Sequence, residues 1–108
     1  MNAIVQKLAA DHATLTQWRR YLHERPELAF EEKETAAFIA EKLKAWGYEV
    51  AEGLGGTGIV ASMKNGTGNR AVGLRADMDA LPIQEMGDIP HKSKVAGKSH
   101  MCGHDAHS

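Results

Sequence analysis

One cysteine in 108 residues, Cys102, leaves no partner for an intramolecular disulfide. The fold must therefore hold without covalent staples, which suits a reducing compartment. Long apolar runs are also lacking. The N-terminal stretch MNAIVQKLAADHATL contains no segment that could serve as a signal peptide or a membrane span, so the expected location is cytoplasmic. Neither sign of charge is in excess: 13 lysines and arginines stand against 14 aspartates and glutamates, for a formal net charge of −1. The basic residues are interleaved with acidic ones, so neither nucleic acid nor a membrane is expected as a partner. Repeats and low-complexity tracts are absent. What is there is ordinary for a globular chain, 43% hydrophobic and 25% charged, enough for one small domain with a modest core.

Helical signals come first along the chain and strand signals follow. DHATLTQWRRYLHERPE places Leu15, Trp18 and Leu22 at helical spacing, and Pro26 closes the segment. FEEKETAAFIAEKLKAWG carries a second stripe, Ala36, Ile39, Leu43 and Trp46. Glu31, Glu32 and Glu34 suit its positive N-terminal end, Lys42 and Lys44 its negative C-terminal end, and Gly47 reads as its terminator. Three segments of strand character come next: YEVAE, TGIVASMK and RAVGLRAD. Turn signals at GLGG and NGTGN separate them. From Ala80 to Ser108 no regular element is expected, and a long irregular stretch in a small domain is usually functional or disordered.

Two motif matches dissolve on inspection. GLGGTG fits a dinucleotide-binding glycine pattern, but that pattern must open a helix whose N–H groups take the pyrophosphate. Here IVASM follows, so the glycines read as a hairpin turn. His23, Glu24 and Glu27 hint at a zinc-binding helix. Pro26 interrupts the turn that would present both ligands, and the second histidine is missing.

RADMDALP is more informative. Asp77 and Asp79 lie at the carboxyl end of the third strand-like segment, read as a buried strand, where open α/β sheets usually build their sites. Carboxylates two residues apart in extended chain point the same way. They could bind a hard cation, or hold a metal-binding histidine in place. Asp77 reads equally well as a turn or cap residue in a solvated loop.

The closing segment, HMCGHDAHS, gathers His100, Cys102, His104 and His107. If it is extended, the first three share a face and His107 lies within reach one turn later. Imidazole and thiolate are the donors that zinc prefers, and imidazole also suits manganese-group ions when carboxylates complete the shell. A polar tail and a cysteine nucleophile are the competing readings. The second is weakened because a thiol and its base normally come from distant segments.

On four stretches the chain resembles a known family. RRYLHERPELAFEE, FIAEKLKAWGYEV, GLRADMDALPIQE and HKSKVAGKSHMCGHDAH match, in order and spacing from Trp18 onward, the metal-dependent amidohydrolases related to aminoacylase and the carboxypeptidase-type metallopeptidases. The likeness is to the subgroup of hippurate hydrolase, indoleacetyl-amino-acid hydrolase and N-acetyldiaminopimelate deacetylase. The resemblance implies an α/β fold: the N-terminal part of a zinc-exopeptidase-like catalytic domain, with helices packed on a mixed central sheet. It also implies hydrolysis of the amide bond of N-acyl amino acids with a divalent metal ion, manganese or zinc, cobalt and nickel being open alternatives.

Residue by residue, the resemblance makes Cys102 and His104 metal ligands. Asp79 matches the aspartate of the wider family's H-x-D motif, which orients the site. Asp77 stands where that motif has its histidine and stays unassigned between weak ligand and structural residue. His100 and His107 match no ligand position. The family's glutamate pair, its further histidine ligands and its dimerisation domain have no counterpart in residues 1–108. The resemblance therefore implies a catalytic domain only begun here, inactive by itself, with the intact protein a dimer or higher oligomer. The alternative is a small non-enzymatic metal-binding protein, or a remnant completed by another chain.

Overall fold

The computed structural model describes residues 2–108. Its elements follow in the order α1 (Ala3–Ala10), α2 (His12–Glu24), α3 (Lys33–Ala45), β1 (Glu49–Leu54), β2 (Gly58–Ser62) and α4 (His104–His107). Helices packed on strands is the class expected. Helix α1, not anticipated, is capped by Asn2, whose side chain accepts the Ile4 N–H at 2.8 Å. None of its residues is buried.

Helix α2 stops at Glu24 as Pro26 dictates, because proline disfavours helical geometry in the residue before it. Of the stripe Leu15, Trp18 and Leu22, only Leu22 is buried; Leu15 stays exposed. Trp18 packs edge-on to Phe38, ring centroids 6.5 Å apart, and tilted against Trp46 at 5.8 Å. Tyr21 stacks on Phe38 at 4.5 Å, and the Arg25 guanidinium covers the Tyr21 ring at 4.0 Å. This aromatic seam joins α2 to α3.

The N-terminus of α3 departs from expectation. Only Glu34 of the three glutamates lies in its first turn. The exposed helix N–H groups are met instead by Glu27. Its Oε1 accepts from the Thr35 N–H at 2.6 Å and the Thr35 hydroxyl at 2.7 Å, and its Oε2 accepts from the Glu34 N–H at 3.1 Å. Glu32 turns away, accepting from the Phe30 N–H at 2.8 Å and from the Thr57 hydroxyl. At the other end Gly47 takes a left-handed φ of 87°. The Tyr48 N–H donates to the Leu43 carbonyl at 3.1 Å and the Gly47 N–H to the Lys44 carbonyl at 3.0 Å, the paired bonds of a Schellman motif.

Strands β1 and β2 form an antiparallel hairpin, with Val50 opposite Ala61 and a bulge between Glu52 and Leu54. Its turn is residues 55–57, beginning within the GLGG stretch read as a turn signal. Helix α3 packs on both strands, and Lys44 reaches Glu52 at 2.8 Å. The third strand, expected to be buried over RAVGLRAD, does not form. Residues 70–77 join no ladder among the described residues, and Val72 and Leu74 are 89% and 96% exposed. A β-rich pattern reports fitness for a sheet and does not supply the neighbouring strand.

Order returns at Ala80. Its N–H donates to the Glu27 carbonyl at 2.8 Å, in a parallel bridge between Leu28 and Ala80. Leu81 and Ser99 then exchange backbone bonds of 2.9 and 3.0 Å. The interior is unusual in content. Among described residues the buried apolar side chains are Leu22, Pro26, Ala36, Ala40 and Ala80, whereas His23, Glu32, Thr35, Glu85, Ser99, His100 and Asp105 are buried and polar. No described helix is long and apolar enough to cross a membrane.

Candidate metal centre

Two anchors position the polar cluster. Ala80, 3% exposed, fixes the chain just after Asp77 and Asp79. Gly103, with a left-handed φ of 88°, turns the chain into α4, so that residues 104–107 are helical and not extended. The face expected to carry His100, Cys102 and His104 together therefore does not exist. Cys102 is an exposed free thiol, His100 is buried, and His107 is exposed with its ring 5.1 Å from that of His104.

His104 is where the two aspartates meet. Its Nδ1 lies 2.9 Å from the Asp79 carbonyl oxygen and 2.9 Å from Asp79 Oδ1. Both partners only accept, so Nδ1 carries a proton, which in a neutral ring leaves the lone pair on Nε2. Asp77 Oδ2 stands 3.9 Å from that Nε2, while its Oδ1 accepts from Arg75 at 2.7 Å. One residue thus orients the ring from its Nδ1 side, and the other places negative charge before its open nitrogen. An imidazole with its far nitrogen tied to a carboxylate is the usual form of a metal-ligating histidine.

With the thiol of Cys102 two residues earlier, the donors available are thiol, imidazole and carboxylate, a set that suits a borderline divalent ion. They fit as part of a metal shell. Among the described residues no group of three or more histidine, cysteine, aspartate or glutamate side chains is placed to hold an ion.

Behind α4 lies a second polar cluster that sequence reasoning missed. Asp105, the neighbour of His104, is buried, and its Oδ2 accepts from His23 Nδ1 at 2.8 Å and pairs with Arg19 Nε at 3.0 Å. His23 Nε2 lies 2.9 Å from Glu85 Oε1, which also accepts the Ser93 N–H at 3.0 Å. Burial alone would push the Glu85 carboxyl up. The Ser93 N–H and His23 outweigh it and hold Glu85 below the ordinary glutamate value. Both ring nitrogens of His23 are thus taken by carboxylates. The one signal available beforehand was the spacing of Arg19 and His23, one turn apart on α2.

His100 is 5% exposed, and neither ring nitrogen has a hydrogen-bond partner. Burial, first of all, pushes its pKa below 6.5, with Asp105 and Asp79 opposing. The ring is neutral near pH 7.

Residues 73–108 match the model of peptidase family M20/M25/M40. The chain is 52% identical over 90 residues to hippurate hydrolase of Campylobacter jejuni, an alignment covering 83% of this chain and 24% of that enzyme. It is 50% identical over 91 residues to the IAA-amino acid hydrolase ILR1-like 5 of Arabidopsis thaliana, covering 83% and 20%. Among solved structures it superimposes on the YXEP protein of Bacillus subtilis, described as a dinuclear metal binding peptidase of the M20 family. The TM-score there is 0.82 at 43% identity, over 90% of this chain and 27% of that one. The chain spans about a quarter of the length of the relatives it matches.

Proposed function

Because the chain belongs to peptidase family M20/M25/M40, we propose that it carries part of the metal centre of a hydrolase that cleaves the amide bond of N-acyl amino acids of the hippurate type. The carrying observation is the His104 ring, fixed at Nδ1 by Asp79 with Nε2 open toward Asp77 and the Cys102 thiol two residues away. Cys102 and His104 would hold the ion, manganese or zinc, with cobalt and nickel as alternatives. Asp79 sets the tautomer and the direction of the lone pair. Once bound, a divalent ion supplies Lewis acidity toward the scissile carbonyl.

The reaction also needs a base to take a proton from water. Neither buried glutamate is free to do so. Glu32 is engaged by Phe30 and Thr57, and Glu85 by His23 and Ser93. The base and the remaining ligands would therefore come from beyond these 108 residues, and the chain alone is expected to be inactive. We place the intact enzyme in the cytoplasm as a dimer or higher oligomer.

Equilibrium dialysis of this chain against manganese, zinc and cobalt tests the assignment. Weak uptake that is abolished in both Cys102→Ser and His104→Ala supports it. Uptake indifferent to both substitutions refutes it. Tight stoichiometric uptake lost in both would instead indicate a self-sufficient metal-binding protein.

A further inference from the structure

Three buried side chains from three separate stretches converge behind the residues that face the metal, and the chemistry proposed above uses none of them. His23 comes from the last turn of α2, Glu85 from the irregular chain after Pro82, and Asp105 from the first turn of α4. Their side chains are 6%, 6% and 2% exposed. His23 is the hub. Each of its ring nitrogens meets a carboxylate oxygen, at 2.8 Å for Asp105 and 2.9 Å for Glu85. Glu85 in turn binds the Ser93 N–H, and Arg19 shares Asp105.

Such an arrangement is costly to bury and is no efficient way to gain stability. Its value lies in where it ends. Asp105 is bonded to His104 in sequence, and the two side chains go to different partners, His104 to Asp79 and Asp105 to α2. A short helix of four residues cannot hold an orientation by its own hydrogen bonds. Tied at consecutive positions to two different parts of the fold, it has one.

We infer that His23 is a positioning residue for His104: by holding Asp105 against α2 it fixes the first turn of α4, so that Asp79 meets Nδ1 and Nε2 has a single direction. The purpose of this rests on the metal-hydrolase reading, but the geometry does not. Asp79 cannot impose the tautomer on a ring whose backbone moves.

The test is made on the metal-free chain by correlating the histidine ring nitrogens with their carbon-bound protons in ¹⁵N NMR. Wild type should show His104 as one tautomer, protonated at Nδ1. In His23→Gln, checked for folding by circular dichroism, His104 should move to the averaged mixture of a free imidazole. Its cobalt affinity should fall about tenfold, as for loss of a residue that orients a ligand. An unchanged His104 spectrum in folded His23→Gln overturns the inference.

If that variant unfolds because two buried carboxylates lose their shared histidine, Asp105→Ala removes the tie from the α4 side and strands no carboxylate, since Glu85 keeps His23 and the Ser93 N–H. This variant should release His104 in the same way, and a fixed Nδ1–H tautomer there equally overturns the inference. Failure of the parent reading looks different. Cobalt uptake indifferent to C102S and H104A removes the metal assignment, whereas the tautomer shift on losing His23 stands or falls without metal.

Discussion

Replacing His100 by leucine should stabilise this chain, against the rule that buried substitutions do harm. The ring is 5% exposed and neither nitrogen is hydrogen-bonded. A neutral imidazole has one donor and one acceptor, and each buried group left unmet costs about 1–3 kcal/mol. Leucine is close in volume and has neither. Taking the low end for both groups, about 2 kcal/mol, and allowing about 1 kcal/mol for imperfect repacking, a net gain of about 1 kcal/mol remains. At roughly 4–8 °C per kcal/mol for a domain of this size, Tm should rise by at least about 4 °C.

The pH dependence gives a second reading of the same perturbation. The folded-state pKa of His100 lies below the ordinary 6.5, chiefly through burial, so on acidification the unfolded chain takes the proton first. The histidine therefore adds no pH-dependent cost above pH 6.5, and a growing one as pH falls from there through the folded value. Urea titrations at about pH 7.5 and 5.5 should show a smaller difference for His100→Leu than for wild type. A variant with a lower midpoint than wild type at pH 7.5 would refute the reasoning, because the ring nitrogens would then have to be satisfied.

Three further outcomes follow from contacts already described. Asp79→Ala should weaken cobalt or zinc binding about tenfold, measured by dialysis, because His104 loses the carboxylate and keeps only the backbone carbonyl at Nδ1. Glu27→Ala removes the acceptor for two N–H groups and a hydroxyl at the start of α3. It should cost about 1–2 kcal/mol by urea denaturation; a loss below about 0.3 kcal/mol would mean that water replaces the cap. Glu85 has a folded-state pKa lowered from 4.5, so its contribution is complete above that value and disappears as pH falls through the lower folded one. Acid unfolding monitored by circular dichroism should lose that component in Glu85→Gln.

Local chemistry was legible where the controlling residues are neighbours in sequence. Pro26 ends α2, Gly47 ends α3, and Gly55 and Gly56 turn the hairpin, each by a backbone rule that needs no knowledge of the rest of the chain. The segment around Val72 and Leu74 fails for the opposite reason: its strand-like pattern needs an edge that the sequence cannot name. Asp77 and Asp79 were expected to point the same way; each stands beside His104, Asp79 at Nδ1 and Asp77 at Nε2. His100 and His107 carry the same imidazole as His104, and only tertiary placement separates a buried ring and an exposed one from the ring that meets both aspartates. The cluster of His23, Glu85 and Asp105 spans 82 residues from end to end. No local pattern could have assembled it.

A polar interior also sets how this chain responds to temperature. Exposing apolar surface raises the heat capacity of unfolding, and exposing polar surface lowers it. Among the described residues five apolar side chains are buried against seven polar ones, so the two contributions offset one another more than in an ordinary domain. The stability curve should be broad and shallow: little is gained on cooling from the melting point, and cold denaturation is pushed to lower temperatures.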